Sequence, residues 1–334
     1  MREIKRTKAE YGGFLPLELN PGKEYFADYE QWLGRFNSVK AALDFLIGRL
    51  GQVKIYIPYY YCPSTTDAIR NMCAEVCFYH IDSELMPLDL PDEKGSMVLL
   101  VDYFGICTDR IVRLIHGFKN AEVILDRAHS FYSKPIIGVR IHNVYSAKKF
   151  FGIPDGAYLI SKTVLPHLKS PTNAHEYSEY LIMSYEKGTN ASYQIKKEVD
   201  KRLANHYDSM SKLSIGLLQN VDHGRVKKTR IENYRILYEA FKDINELALP
   251  EVCPSYQFPF LIRNKGRVIK KMLIENHIFV STLWSGKDLQ KYGNPFELSM
   301  MDNAVFLPMD QRYDADDMKY LIDCVSAGLE QCNE

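Results

Sequence analysis

Short apolar runs alternate with amphipathic stretches along the first half of the chain. Five runs have the length and composition of buried strands: 54–58, 76–81, 97–103, 122–126 and 142–145. Three stretches between or before them have helical periodicity: 39–50, 65–73 and 110–118. This alternation predicts an α/β fold, with a mainly parallel sheet and helices on both of its faces.

The second half of the chain has a different pattern. Residues 163–176 contain two prolines, Asn and Ser and predict a loop, whereas 177–245 have helical spacing without internal proline and predict long helices. Two prolines near 246–256 indicate a domain boundary. The expected small α+β unit beyond it has these elements: strand 257–263, helix 268–277, strand 278–284 and helix 315–331. We therefore expect a large domain over 1–245, with an N-terminal arm of about 1–30, and a small domain over 246–334.

Composition excludes several classes of function. The chain is 46% hydrophobic and 25% charged, as in an ordinary soluble globular protein. Lysine plus arginine equals aspartate plus glutamate at 42 each, so no bulk charge favours nucleic acid or a membrane surface. The charged first residues do not resemble a signal peptide. The seven cysteines are scattered and give no metal-ligand pattern, so we expect reduced thiols in a cytoplasmic protein and no metal.

Two residues carry the candidate chemistry, Asp126 and Lys149. Asp126 follows the apolar run 123–125 and should lie at the carboxyl end of a buried strand. Lys149 precedes a loop with Gly152, Pro154 and Gly156. A buried carboxylate near a lysine at strand ends suits pyridoxal 5'-phosphate (PLP): the carboxylate keeps the pyridine nitrogen protonated and the lysine amine forms the Schiff base. Each residue alone also has a simpler interpretation, a helix cap for the aspartate and a solvated cation for the lysine.

The sequences AEVILDRAHSFYS (121–133) and VYSAKKFFGIPDGAYLI (144–160) together resemble PLP-dependent aminotransferases of fold type I. The spacing around the lysine is most similar to the DegT/DnrJ/EryC1/StrS sugar aminotransferase family. This resemblance implies that Ser146 contacts the cofactor phosphate and that His129 lies near the ring oxygen. Lys148 is the alternative to Lys149, but the Ser-x-x-Lys spacing from Ser146 favours Lys149.

The remaining cofactor contacts are expected from two earlier segments. Ser38, Val39 and Lys40 begin an apolar helix, where free amides favour an anion. They resemble the phosphate-binding segment of the family, although the usual glycine is missing and Val39 and Lys40 stand where small residues are usual. A simple N-cap role for Ser38 is compatible with phosphate binding. After Pro58, Tyr61 matches the position from which the family stacks an aromatic ring on the cofactor; the alternative is packing at the sheet edge.

The resemblance implies an aminotransferase that passes an amino group from an amino acid, glutamate being the expected donor, to a keto acceptor. The acceptor implied is a nucleotide-linked keto sugar, as in polysaccharide biosynthesis, and the enzyme would be a homodimer. Arg312 is a candidate for binding the donor carboxylate, or else a surface charge. Residues 162–213 lack the motif with which many sugar aminotransferases reach the neighbouring subunit's cofactor.

Two alternatives stay open: a PLP-dependent lyase or synthase on the same scaffold, and a non-catalytic binding or regulatory protein. The related dehydratases have histidine in place of the Schiff-base lysine, so Lys149 favours transamination.

Overall fold

The structure is a computed structural model that describes residues 13–51, 54–162, 171–204 and 206–332. Part of the expected N-terminal arm (1–12) and part of the expected loop (163–170) lie outside the described residues. No helix within the described ranges is long and apolar enough to cross a membrane.

A seven-stranded mixed sheet forms the centre of the molecule, in the order β1-β7-β6-β5-β4-β2-β3. Its strands are β1 Leu33–Phe36, β2 Lys54–Pro58, β3 Glu75–Tyr79, β4 Ser96–Val101, β5 Glu122–Asp126, β6 Ile141–Ser146 and β7 Ala157–Ser161. The neighbours from β6 to β3 are all parallel, and β7 is antiparallel to both β6 and β1. Strands β8 (Phe258–Leu261) and β9 (Ala304–Leu307) pair antiparallel in a second, smaller sheet.

Eleven α-helices accompany these sheets in the described part of the chain. They are α1 Val39–Leu50, α2 Pro63–Met72, α3 Thr108–Ile115, α4 Glu179–Lys187, α5 Tyr193–Leu203, α6 Lys212–Gln219, α7 His223–Phe241, α8 Gly266–Glu275, α9 Lys287–Tyr292, α10 Pro295–Asn303 and α11 Ala315–Gln331. The predicted fold class, a mainly parallel α/β sheet with a smaller C-terminal α+β part, is confirmed. The domain division at 245 stays a prediction, and α7, before that point, packs on α11 and β8.

One strand prediction was wrong, and one strand was missed. Residues 278–284 form no strand: within them only Ser281 makes a bridge, to Phe306, and Trp284 packs into an aromatic cluster at the edge of the large sheet. The run is apolar because of that packing rather than because of sheet pairing. Strand β1 was not predicted, because it is only four residues long and contains Gly34 and Arg35. The helical region 177–245 is confirmed, but it is divided into four helices.

The sheet brings three loops together at one edge. Strand β5 ends at Asp126, and β6 ends at Ser146 and continues into a 3-10 turn that contains Lys149. The returning loop closes on Gly156, whose φ of 145° is a conformation that L side chains rarely adopt. Gly156 donates its amide to the carbonyl of Asn37 at 2.9 Å, which fixes this loop against the start of α1.

Candidate active site at the carboxyl edge of the sheet

A cavity of about 60 Å³ lies where these loops meet. Five of the side chains predicted from sequence line it: Val39, Tyr61, Asp126, His129 and Lys149. The other lining residues are Cys62, Thr65, Val101, Ala128 and Trp284. Residues separated by up to 245 positions along the chain therefore share one small space.

Asp126 is buried at one end of this cavity. Its Oδ1 accepts a hydrogen bond from the amide of Ala128 at 2.8 Å, and its Oδ2 accepts one from the hydroxyl of Tyr61. Burial raises the pKa of the Asp126 carboxyl, although Tyr61, Ala128 and the positive charge of Lys149 act in the opposite direction. Such a carboxylate is poised to interact with a cationic N–H group.

Lys149 and His129 form a second polar contact at the cavity. Lys149 Nζ lies 3.0 Å from His129 Nε2. Burial, and then the charge of Lys149, lower the pKa of His129 well below its usual value, so the ring is neutral and its Nε2 accepts from the amine. The other ring nitrogen, Nδ1, is buried and has no partner among the described residues. The His129 ring itself stacks on Trp284 and Tyr256 at centroid distances of 5.3 and 5.0 Å.

The two adjacent lysines point to different surroundings. Lys148 donates to Asp200 at 2.8 Å, and Asp200 is bonded also to Lys196. Lys149 instead lines the cavity that contains Asp126. The choice of Lys149 over Lys148 as the Schiff-base lysine stays a prediction.

The segment predicted to bind phosphate is only partly at the cavity. Ser38 is the N-cap of α1 and accepts from the amide of Ala41 at 3.1 Å. Val39 lines the cavity. Lys40 is partly exposed and Ser146 is buried at the end of β6, and neither of them lines the cavity. The phosphate roles of Ser38, Val39, Lys40 and Ser146 stay predictions.

A larger cavity, of about 630 Å³, also has Lys149 in its lining. Arg312 lines it, but its Nε and Nη2 both donate to the carboxylate of Asp310 at 2.7 Å. Arg230 and Tyr256 also line this cavity. The guanidinium fork of Arg312 is therefore already occupied by an internal carboxylate.

Sequence reasoning missed Trp284, Tyr256 and Arg230. The first two lie in irregular segments, for which no periodic pattern exists. Arg230 had a recognisable signal, because it falls on the buried face of α7 with Val226 and Leu237. A cation within an apolar helical stripe is uncommon and indicates a functional or paired group.

The sheet order and the convergence of loops at its carboxyl edge define the class of fold, that of PLP-dependent aminotransferases of fold type I. No protein-family model matches the chain, and comparison with curated proteins finds no match. Solved structures do match over most of their length. The aminotransferase TlmJ of Streptoalloteichus hindustanus is 15% identical with a TM-score of 0.67, covering 92% of this chain and 90% of that one.

Two further structures are similar. A DegT DnrJ EryC1 StrS aminotransferase from Brucella abortus is 16% identical, with a TM-score of 0.62, and the match covers 88% of this chain and 85% of that one. The GDP-4-keto-6-deoxy-D-mannose-3-dehydratase of E. coli, solved with bound hydrated PLP, is 15% identical with a TM-score of 0.60, over 91% and 92%. At these identities the similarity establishes the fold.

Proposed function

We propose that this protein is a PLP-dependent aminotransferase of the DegT/DnrJ/EryC1/StrS type. It would transfer an amino group from an amino acid, with glutamate the expected donor, to the keto group of a nucleotide-linked sugar. One observation carries the proposal: the buried carboxylate of Asp126 and the amine of Lys149 line the same small cavity at the carboxyl edge of the sheet. The fold shared with solved aminotransferases, one of them described as a DegT DnrJ EryC1 StrS aminotransferase, supports it.

The residues at this cavity fit the cofactor's chemistry. Asp126 would hold the protonated pyridine nitrogen, and Lys149 would bind the cofactor covalently through its amine. His129 offers an unpartnered Nδ1 as a hydrogen-bond donor for an oxygen on the ring. Tyr61 would have to release the Asp126 carboxylate when the cofactor enters, since both use the same acceptor.

Bound PLP supplies an electron sink, which stabilises the negative charge left when the donor loses its α-proton. The amine of Lys149 would take up that proton and return it. Asp126 would stay ionised so that the ring nitrogen keeps its proton. The stacked rings of Trp284 and Tyr256 would exclude water from the His129 side of the site.

The larger cavity beyond Lys149 supports a sizeable acceptor. Its volume of about 630 Å³ falls in the range of sites that bind small molecules of drug size. Its lining includes hydrogen-bonding groups such as Asn190, Gln257 and Asn276, which suit the hydroxyl groups of a sugar. A keto sugar is therefore the acceptor class that we propose.

Borohydride reduction of the PLP-loaded protein, followed by peptide mapping, tests the cofactor site. We expect the pyridoxyl group on Lys149, no label after Lys149→Ala, and unchanged labelling after Lys148→Ala. In the absence of any acceptor, L-glutamate or L-glutamine should convert the bound cofactor to its amine form, as seen by absorbance. Label on Lys148, or no chromophore with added PLP, would contradict the assignment. A chromophore that no amino donor converts would favour a lyase or synthase.

We also propose a cytoplasmic homodimer. Three apolar residues near the N-terminus are largely exposed in the single chain: Phe14 by 94%, Leu15 by 84% and Leu17 by 72%. Such a cluster favours a contact with a second copy.

Light scattering should give twice the chain mass of 38.6 kDa. Replacing the three residues by serine should shift the protein toward monomer, whereas Tyr185→Ser, at an equally exposed aromatic, should not. A fully active monomer would rule the dimer out.

A further inference from the structure

Arg230 on α7 is a buried cation without an ionic partner. It is 1% exposed. Its Nη1 donates to the carbonyls of Ser255 at 2.8 Å and Tyr256 at 3.3 Å, and its Nε donates to Gln311 Oε1 at 2.9 Å. All three acceptors are neutral. A buried charge of this kind is costly unless an opposite charge compensates it.

No carboxylate in the described part of the chain forms an ion pair with Arg230. The largest attraction from a negative group comes from Asp310, whose carboxylate is held in a two-pronged contact with Arg312. Burial lowers the pKa of Arg230 to about 10, so the group is still a cation at neutral pH. Its Nη2 makes no hydrogen bond to any described residue. The site thus has a charge and a donor available for an anion.

This cation faces the same space as Lys149. Both residues line the 630 Å³ cavity. The guanidinium carbon of Arg230 lies 4.5 Å from the ring centroid of Phe150, the residue that follows Lys149. Tyr256 contacts both groups, since its carbonyl accepts from Arg230 and its ring centroid lies 5.1 Å from Lys149 Nζ. An anion bound to Arg230 would therefore be close to the reacting amine.

We propose that Arg230 binds the α-carboxylate of the amino donor and so positions the donor beside Lys149. This inference rests on the proposed function and names a substrate contact for it. The Phe150 ring covers one face of the guanidinium, which leaves its edge for a planar anion such as a carboxylate. In an amino acid the carboxylate is bonded to the reacting carbon, whereas the diphosphate of a nucleotide sugar is several bonds away from the keto carbon. The position next to Lys149 fits the first and not the second.

The same argument favours Arg230 over Arg312 for this role. Binding to Arg312 would require a ligand to displace Asp310 from both of its hydrogen bonds. Arg230 needs no displacement, because its available nitrogen has no protein acceptor among the described residues.

Calorimetric titration with succinate, an unreactive carboxylate, tests the site. The titration is made once with the PLP-loaded protein and once with the PLP-free protein. We expect wild-type protein to bind succinate and not the neutral succinamide. Arg230→Gln should weaken binding about 10- to 100-fold, the range for a hydrogen bond to a charged group. Arg230→Lys should give an intermediate loss, because it keeps the charge without the planar fork. Arg235→Gln, at an exposed arginine of α7 that does not line the cavity, serves as the control and should change the affinity less than threefold.

A second variant leaves Arg230 in place. Arg230 also connects α7 to residues 255–256, so its removal could unfold the protein. Gln311→Glu would put a carboxylate at the atom that now accepts from Arg230 Nε, and it should abolish succinate binding. Gln311 Nε2 also donates to the carbonyl of Phe150 at 2.8 Å, so we expect a lower melting temperature but a folded protein with an unchanged circular dichroism spectrum at 25 °C. Wild-type affinity in folded Arg230→Gln and in Gln311→Glu, or no succinate binding by the wild type, would overturn the inference.

The two proposals can fail separately. If the protein binds no PLP but binds succinate in an Arg230-dependent manner, the aminotransferase proposal falls and the anion site stands. If glutamate converts bound PLP while succinate binding is independent of Arg230, the carboxylate assignment alone falls.

Discussion

Two parts of the lining of the 60 Å³ cavity differ in the groups they present. We call Asp126 and His129, which are buried polar side chains, the ring end. We call Val39, the first residue of α1, and its neighbours Ser38 and Lys40 the phosphate end. There Val39 contributes an apolar side chain and the Ser38 hydroxyl accepts from the helix itself. The groups at the ring end are those that the sequence resemblance implies, whereas Val39 and Lys40 at the phosphate end depart from it.

This difference shows which contacts depend on side-chain identity. Keeping a pyridine nitrogen protonated needs an anionic acceptor such as a carboxylate, and no backbone group supplies one. A phosphate can instead be held by the first amides of a helix, which have no intrahelical acceptor and which every residue except proline supplies. The absence of the usual glycine and of small residues at 39 and 40 is therefore compatible with phosphate binding, whereas loss of Asp126 would remove the group that keeps the ring nitrogen protonated.

Asp126→Asn should have the largest effect. The amide cannot keep the ring nitrogen protonated, so we expect turnover to fall by roughly 10²- to 10³-fold, as for other losses of electrostatic stabilisation. PLP binding, followed by absorbance, should be retained in part.

Asp155→Asn is the matched control for this variant. Asp155 is also a buried aspartate after β6, but its carboxylate accepts from Ser211 and Ser214 and does not line the cavity. We expect it to lower the melting temperature and to leave turnover per bound cofactor within a few-fold. Near wild-type turnover in Asp126→Asn would reduce Asp126 to a structural residue at a strand end.

The same difference explains how far the sequence could predict the site. Asp126, His129 and Lys149 follow strands at fixed spacings, so their meeting at the sheet edge could be predicted from the apolar runs. Trp284 and Tyr256 reach the site from irregular segments, and their positions depend on tertiary packing that has no local pattern. Residues 278–284 show this directly, since their apolar character predicted a strand and instead reflects the packing of Trp284.

Lys40 provides a smaller test, at the phosphate end. If its ammonium contacts the phosphate, Lys40→Ala should weaken PLP binding by about fivefold or less, in line with a partly exposed ion pair. Binding of pyridoxal, which has no phosphate, should be unchanged. Arg49→Ala, a cation near the other end of α1, is the control and should affect neither ligand. Equal losses for PLP and pyridoxal would show that Lys40 acts on the helix and not on the phosphate.

The smallest expected effect concerns the protonation of His129 in the cofactor-free protein. Its pKa in the folded state is well below that of the unfolded chain, because burial disfavours the charged ring. Below about pH 6.5 the unfolded state therefore binds a proton that the folded state does not, and the free energy of unfolding falls with falling pH. One such group contributes up to about 1.4 kcal/mol per pH unit.

His129→Gln should remove that contribution while keeping an acceptor for Lys149 Nζ. Urea unfolding at several values between about pH 7 and 5 should then give a flatter dependence for the variant than for the wild type. His223→Gln is the control: the pKa of His223 is also lowered by burial, but that group does not line the cavity. It should flatten the profile too, and by less, because His223 is less deeply buried. If the free energy of unfolding depends on pH in the same way in the wild type and in His129→Gln, the folded His129 ring is protonated. The ring end of the cavity would then lack the neutral acceptor that Lys149 is inferred to use.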